Sequence, residues 1–466
     1  MPYIYNTPED QAAMLAAIGA GSLDELFAMV PADMRLRRPL AIPPAMSELE
    51  LTQHMTELAA KNEHAGSKVC FLGGGSYDHF IPAVVDEIAG RGEFYTSYTP
   101  YQAEVSQGNL QVVFEYQTLI SRLTGLDVSN ASLYDGGSAA AEAVLMAVSS
   151  TKRYGKVIVP ASLHPEYRLT IATYLECLGV ELVTIPTPNG VMQPQDLAAA
   201  MDDRTACVVV QQPNFFGCIE DAAALASISH DAGALVVAAF DPISLGLLKR
   251  PGDWGADIAV AEGHTLGTPM QYGGPYLGIM ACRENLVRRM PGRIAGQTFD
   301  RRGTRCFVLT LQTREQHIRR EKATSNVCTN QGLFALRATI YLALLGPQGL
   351  RETANLCLQK SRYAIEQLCG WGATGSASAS SPASSGAPSG KGRFELAFNN
   401  PTFKEFVIRN RQGRVDELLE RALNAGFLAG VPLGQWYPEL HDCFLVAVTE
   451  KRTKEEIDRL ASTFYR

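Results

Sequence analysis

The chain has 466 residues, of which 46% are hydrophobic and 19% charged, a balance typical of a globular protein with room for two domains. Its 41 basic and 48 acidic residues give a net charge of −7, and the basic residues are scattered, which argues against nucleic acid as a partner. Ten cysteines without a CxxC pair or a histidine cluster predict reduced thiols and no metal site, as in a cytoplasmic protein. Neither a secretory signal nor a long uncharged apolar run is found, so no membrane association is expected.

Residues 1–65 are predicted to form a helical N-terminal arm. Thr7 is placed to cap one helix with Pro8 at its first position, and Ser47 is placed to begin another. The apolar residues of the arm recur at helical spacing but are too few to build a core. The arm is therefore expected to pack on another surface.

The pattern changes at about residue 66. Through residue 330, short apolar runs alternate with helical stretches, which is typical of a mostly parallel sheet with helices on both faces. The predicted strands are Lys156–Val159, Val180–Ile185, Ala206–Gln211, Ala234–Ala239, Ile258–Ala261 and Tyr276–Ala281. This large α/β domain is expected to bind its ligands beyond the carboxyl ends of the strands.

Residues 331–466 are predicted to form a smaller C-terminal α+β domain, which a helical stretch at Leu333–Leu345 leads into. Its other predicted elements are the strands Arg393–Phe398, Glu405–Arg409 and Cys443–Val448 and the helices Arg414–Ala425 and Thr453–Phe464. From about residue 374 to residue 390 the chain is almost entirely Ala, Ser, Gly and Pro, which predicts a flexible surface loop.

The most informative local pattern lies between two predicted strands. One strand ends in Asp241, the next ends at His264, and a glycine-rich loop with Gly273 and Gly274 follows. Many pyridoxal-phosphate enzymes present their cofactor in this way, with the Asp on the pyridinium nitrogen and a Lys after the His as Schiff-base anchor. Here Thr265 stands in the lysine slot. The chain is therefore either a relic of such an enzyme or half of a shared active site.

Two further motifs leave alternatives open. Two glycines and Ser138 begin an alanine-rich helix, which is either an anion-binding helix start or a capped helix packed tightly through its alanines. His164 lies between a strand and a helix, where a histidine that stacks on a ring and a surface histidine are both reasonable.

A tyrosine-rich segment suits the wall of a binding site. Tyr95, Tyr98 and Tyr101 fall close to Glu104 and Gln107, and such side chains orient a small amino acid or stack on a ring. The same segment also fits an aromatic patch at a subunit interface. The two interpretations merge if the site lies at an interface.

Taken together, five strings resemble the glycine cleavage system P-protein family, in particular the first (alpha) subunit of its two-subunit bacterial form. The strings are Phe71–His79, Tyr98–Gly108, Asn130–Gly136, Tyr272–Gly278 and Arg320–Asn330. The resemblance covers nearly the whole chain except the low-complexity segment at 374–390.

The resemblance implies a fold-type-I pyridoxal-phosphate-dependent transferase architecture. It also implies a beta partner, P-protein subunit 2, and an α2β2 assembly of the two chains. It implies that the partner's lysine holds pyridoxal phosphate covalently. The pair would decarboxylate glycine, with the cofactor as electron sink, and pass the aminomethyl group to the lipoyl arm of H-protein.

For this chain, the resemblance implies a non-anchoring role and no activity in isolation. The residues expected to reach the shared site are Tyr95, Tyr98, Tyr101, Glu104, Gln107, Gly273 and Gly274. The residues expected to be remnants of its own cofactor pocket are Ser138, His164, Asp241 and His264. Two alternatives remain: a scaffold that only stabilises the partner, and a self-sufficient enzyme that uses another lysine, of which Lys322 is the foremost candidate.

Overall fold

The computed structural model describes residues 6–323, 325–370 and 392–465. The low-complexity segment predicted as a loop at 374–390 lies outside the described residues. The chain divides into two compact units between Glu63 and His64. The predicted divisions at residues 65 and 330 stay predictions.

The first unit contains three helices: α1 (Pro8–Ala17), α2 (Leu23–Leu26) and α3 (Glu48–Ala59). The predicted helix starts are confirmed, since Thr7 and Ser47 each cap a helix through a reciprocal capping box with Asp10 and Glu50. None of the residues in these three helices is buried. The caps therefore define the helix starts, while the apolar faces are left without a core.

The second unit is built on a seven-stranded sheet in the order β2-β8-β7-β6-β5-β3-β4. Its strands are β2 (Val128–Ser129), β3 (Lys156–Pro160), β4 (Glu181–Ile185), β5 (Thr205–Gln212), β6 (Leu235–Phe240), β7 (Ile258–Glu262) and β8 (Gly278–Cys282). Strands β3 to β7 pair in parallel, and β8 runs antiparallel to β7 and β2. The prediction of a mostly parallel sheet is confirmed, and the six predicted strands begin and end within two residues of the observed ones.

Helices cover both faces of this sheet. The helices of this part of the chain are α4 (Ala83–Ala89), α5 (Gly92–Tyr95), α6 (Gln107–Thr124), α7 (Gly136–Thr151), α8 (Pro165–Leu175), α9 (Pro194–Ala200), α10 (Ala222–Asp231), α11 (Gln316–Arg319) and α12 (Gly332–Cys369). The short helices α5 and α11 contain no buried residue. Along β5, Val208 and Val210 enter one apolar core with α6, α9, α10 and α12, while Cys207 and Val209 enter the other with α7 and α8. A sheet buried on both faces leaves its carboxyl edge as the place where polar side chains gather.

Helix α12 extends well beyond the predicted stretch at 333–345. It bends at Gly346, whose φ of 58° is not helical, and Pro347 follows. By length and composition the helix is apolar enough to cross a membrane. Its apolar residues Ala338 and Tyr341, however, lie in the core against the sheet, as in a core helix of a globular protein.

The C-terminal part contains a four-stranded antiparallel sheet in the order β11-β12-β15-β14. The elements of this part of the chain are β11 (Phe394–Leu396), β12 (Glu405–Asn410), α13 (Val415–Asn424), β13 (Phe427–Leu428), β14 (Val431–Pro432), β15 (Cys443–Ala447) and α14 (Lys454–Tyr465). Strand β13 is not part of the four-stranded sheet. Strand β1 (Val69–Cys70) pairs in parallel with β13. An antiparallel hairpin of β9 (Ile294–Phe299) and β10 (Arg305–Thr310), which the sequence analysis does not predict, completes the unit.

Candidate functional site

A small polar cavity of about 40 Å³ lies where β5, β6 and β7 end. The start of β12 and the loop after β1 close it from the other side. The polar and aromatic side chains that line it include Tyr77, His164, Tyr167, Asp241, Glu262, Thr265, Lys404 and Glu405. It is the site at which ligands are expected in a sheet of this kind.

The lysine slot opens onto this cavity. Thr265 is buried, and its hydroxyl has no hydrogen-bond partner among the residues that the structure describes. The preceding His264 is fully buried and stacks on Tyr276 at 4.8 Å between ring centroids. Burial lowers the pKa of His264 to about 3, and its Nε2 accepts the backbone N–H of Tyr77 at 3.1 Å. His264 is therefore a neutral histidine that holds the Tyr77 segment.

Asp241 has a cation opposite it within the chain itself. Lys404 Nζ lies 2.8 Å from Asp241 Oδ2, and Lys404 is only 1% exposed. The same ammonium lies 3.5 Å from the centroid of the Tyr77 ring and 3.1 Å from His79 Nε2. A charge buried this deeply is stable only when it is paired, and Asp241 provides the pair.

Glu405 follows Lys404 and fastens the glycine-rich loop after β1. Its carboxylate accepts the backbone N–H of Gly74 and the hydroxyl of Tyr77, each at 2.7 Å. A Cβ at Gly73 would collide with this carboxylate, so the glycine is required for the loop to lie this close. Burial raises the pKa of Glu405 to about 7.

The carboxylate of Glu262 is bound at the start of α7. Glu262 accepts the backbone N–H groups of Gly136 at 2.9 Å and of His264 and Leu277 at 3.0 Å each. Ser138 is bound in a capping box with Asp135. Burial raises the pKa of Glu262 to about 7 in spite of the three donors. The helix is thus capped, and the N–H of its first residue, Gly136, is bound by the Glu262 carboxyl group.

His164 caps α8 and stacks against Tyr167, with ring centroids 4.8 Å apart and planes 25° apart. Its Nδ1 accepts the N–H of Glu166, so its Nε2 carries the proton and donates to the carbonyl oxygen of Gly74 at 2.7 Å. Burial lowers the pKa of His164. The ring is a buried stacking partner and not a surface histidine.

A second buried network adjoins Lys404. His79 Nδ1 lies 2.6 Å from Glu450 Oε2, and Cys357 Sγ lies 3.5 Å from the same oxygen. Burial acts to raise the pKa of Glu450, but His79 and the N–H of Phe80 outweigh it and lower the value to about 2. These groups satisfy one another, and the ammonium beside His79 opposes a metal cation.

The tyrosine segment lies outside this cavity. Tyr98 is 84% exposed, and Tyr95 and Tyr101 are also largely exposed. Tyr95 and Tyr98 border an open cleft of about 260 Å³ that Arg293 and Asn330 also line. The Arg293 guanidinium is buried, 5.7 Å from the Tyr101 ring centroid. Large exposed aromatic side chains grouped around a cleft are typical of an interaction surface.

The other predicted interface residues differ in role. Gln107 bonds through its amide to both the N–H and the carbonyl of Phe307, at 2.9 Å each, and so joins α6 to β10. Glu104 is exposed. Gly273 and Gly274 have φ of 103° and 118° in a loop with Tyr272, which is itself exposed. Of the residues predicted for the chain's own pocket, His164 and Asp241 line the cavity, while Ser138 and His264 lie behind its lining.

Sequence reasoning missed five of these cavity residues: Tyr77, Tyr167, Glu262, Lys404 and Glu405. A Lys-Glu pair at the start of the apolar strand β12 was a signal, because charged residues at a buried strand end require partners. Nothing local in the sequence connects Lys404 to Asp241. Lys322, the lysine suggested as a substitute anchor, is exposed in a turn at Arg320–Lys322 and does not line the cavity.

Pyridoxal phosphate does not fit the cavity of this chain. Pockets for small organic ligands have volumes of about 300–1,000 Å³, whereas a single water requires roughly 10–15 Å³. The cavity of about 40 Å³ thus has room for a few waters only. The carboxylate of Asp241 is already paired with Lys404, and the N–H of Gly136 is already bound to Glu262.

Comparison with known proteins gives a consistent result. The family model for "Glycine cleavage system P-protein" matches residues 1–374. A curated relative from Carboxydothermus hydrogenoformans, described as probable glycine dehydrogenase (decarboxylating) subunit 1, is 50% identical over 460 residues, which is 99% of this chain and 98% of the relative.

Solved structures agree in fold. A crystal structure of glycine decarboxylase (P-protein) of the glycine cleavage system, in inhibitor-bound form, has a TM-score of 0.88 and 41% identity, covering 100% of this chain and 99% of that one. A sphingosine-1-phosphate lyase of Burkholderia pseudomallei has a TM-score of 0.63 at 15% identity, covering 93% of each chain, and shows likeness of fold alone. The expected fold-type-I architecture is confirmed.

Proposed function

Because this chain belongs to the glycine cleavage system P-protein family, we propose that it is the non-anchoring subunit of a two-subunit glycine decarboxylase. The proposed partner is P-protein subunit 2, with pyridoxal phosphate bound covalently to its lysine, in an α2β2 assembly in the cytoplasm. The pair would decarboxylate glycine and pass the aminomethyl group to the lipoyl arm of H-protein. The cofactor would supply the electron sink for the loss of CO2.

One observation carries the proposal: the lysine slot holds Thr265, and the cavity beside it has room for a few waters only. A chain of this family with neither the lysine nor room for the cofactor at that slot would contribute to catalysis through another chain's site. Fold-type-I enzymes commonly build each active site from two chains, so an interface is where this chain would contribute.

The proposed contribution comes from the exposed group. Tyr95 and Tyr98 present phenol hydroxyls and aromatic faces at an open cleft, and exposed Tyr101 lies beside it against Arg293. These side chains would position substrate and exclude water at the partner's site. Glu104 and the Gly273–Gly274 loop would contribute from the same interface. Gln107 would act indirectly, because its bonds to Phe307 hold α6 against β10 and so support the segment.

Reconstitution of the pair tests this function. We expect Tyr98→Phe and Tyr101→Phe to lower glycine decarboxylation by about tenfold or more, as for the loss of a hydrogen bond made in the transition state. Tyr154→Phe is the matched control, because Tyr154 is an exposed tyrosine that does not line the cleft. Turnover and glycine KM are measured alongside co-elution with the partner.

The scaffold alternative makes the opposite prediction. If the chain only stabilises its partner, Tyr98→Phe and Tyr101→Phe will both leave turnover and glycine KM unchanged while assembly stays intact. A decarboxylase activity of the isolated chain would instead overturn the non-anchoring role. Copurification of a chain of similar length with His-Lys before a glycine-rich loop would identify the partner.

A further inference from the structure

We propose that this chain fills its own cofactor pocket, with Lys404, Glu262 and Tyr167 in the places of the cofactor's pyridinium nitrogen, phosphate and ring. The pocket is then a permanently occupied site that needs no ligand and admits none. The inference rests on the contacts of the cavity and on the fold, and it stands whether or not the proposed shared site is correct.

The first replacement is one of charge. In a cofactor-bearing site, the carboxylate at the end of this strand faces a protonated ring nitrogen. Here Asp241 faces the Lys404 ammonium at 2.8 Å. The ammonium carries the same positive charge and is enclosed by the Tyr77 ring and His79. The charge of Asp241 is therefore balanced without a cofactor, through an ion pair whose geometry does not form a hydrogen bond to Oδ2.

The second replacement is at the start of α7. A helix start binds anions because its first N–H groups have no partner within the helix. Glu262 Oε2 takes the Gly136 N–H, and the Asp135 carboxylate takes that of Ser138. Two side-chain carboxylates of this chain thus occupy two of the donors that this helix start would offer a phosphate.

The third replacement is at the stacking position. Tyr167 lies on the face of His164, and a Cβ at Gly136 would collide with the Tyr167 hydroxyl. The glycine is thus needed for Tyr167 to lie in this place. Three separate elements, α8, β7 and the residue before β12, therefore supply the three replacements.

Covalent labelling of the full-length chain tests the proposal. We expect wild type to bind no pyridoxal phosphate at equilibrium, and Thr265→Lys alone to gain no adduct at position 265 after borohydride reduction and peptide mapping. Combining Thr265→Lys with Lys404→Met and Tyr167→Ala removes the replacements at the ring nitrogen and at the ring, leaves Glu262 in place, and should give clear labelling at 265. Equal labelling of the single and the triple variant would overturn the proposal, as would an adduct on Lys404 in wild type.

A double-mutant cycle tests the charge replacement even if the triple variant does not fold. Lys404→Met and Asp241→Asn should each lower the unfolding midpoint strongly, and the double variant should recover much of the loss, because each single change leaves a buried charge unpaired. Lys451→Met is the control, since Lys451 pairs with Asp78 in a more exposed position. Strictly additive losses at Lys404 and Asp241 would contradict their pairing, as would stoichiometric binding of pyridoxal phosphate by wild type.

Discussion

Glu405 is held between two unlike donors, the backbone N–H of Gly74 and the hydroxyl of Tyr77. Its full burial favours the protonated form, which accounts for a pKa of about 7 compared with 4.5 for an unperturbed glutamate. The folded state therefore binds more protons at this position than the unfolded state does between these two values. Stability contributed by the group is present at low pH and is lost as the pH rises toward 7.

We expect Glu405→Gln to remove this part of the pH dependence. A glutamine amide still accepts from Gly74 and donates to the Tyr77 oxygen, but it does not ionise. The free energy of unfolding of the variant relative to wild type should therefore rise between pH 5 and pH 8, by up to roughly 3 kcal/mol. Urea unfolding across this range measures the difference, with exposed Glu417→Gln as control. A difference that is constant with pH would refute the assignment.

At this scale, sequence reasoning identified some positions of the pocket but not the contacts between them. Asp241 and His164, which both line the cavity, were indicated by the sequence because each lies next to a strand end, which is a local signal. Lys404 was not, since its pairing with Asp241 depends on how the start of β12 comes over the carboxyl edge of the sheet. A contact between distant parts of the chain leaves no periodic pattern in either part.

Helix α7 shows how an element is specified by small side chains. Ala139, Ala140 and Ala143 are fully buried, and the helix packs directly on β5, β6, β7 and β8. Alanine brings the helix close to the sheet and favours helix formation. This close approach places the start of α7 at the cavity.

Enlarging one of these alanines tests the packing. Ala140→Leu should lower the free energy of unfolding by about 1–3 kcal/mol, because a packed core has no space for three extra carbon atoms. Ala199→Leu on α9 is the matched control at an exposed helical position and should change stability little. Chemical denaturation of both variants measures the effect. Equal stability of the two would show that α7 is loosely packed.

Continuous apolar runs made six of the seven strands of the central sheet predictable to within two residues, because strands buried on both faces show no polar alternation. The two-residue strand β2 was not predicted. The length of α12 was underestimated because Gly346 and Pro347 signal a helix end, whereas packing on both sides of the bend continues the helix. The hairpin of β9 and β10 lies partly at the surface, and its mixed sequence gave no clear period.

In the molecule as a whole, residues 1–63 form a unit whose helices contain no buried residue. A segment with many exposed apolar side chains and no core is expected to be stabilised by association. The family resemblance correctly indicated the fold and the P-protein family, but the surfaces that meet a partner cannot be read from a single chain.

Deleting residues 1–63 tests this expectation. The unfolding midpoint of the remaining chain should stay close to that of the full chain, while co-elution with the partner should weaken. Leu49→Ser combined with Met55→Ser provides a full-length control, since both residues are exposed in α3. The expectation fails if the truncated chain associates with the partner as tightly as the full chain does.

The Asp241–Lys404 pair affects how the stability of this chain responds to the supply of vitamin B6. A ligand stabilises a protein only by binding its folded state, so a chain whose pocket is already filled gains nothing from the ligand's concentration. When vitamin B6 is scarce, this chain would remain as well folded as when it is plentiful, whereas the proposed partner would lose the support of its cofactor. In a cell short of vitamin B6, the amount of assembled enzyme would then be limited by the amount of folded partner. This chain would be present in excess over the partner.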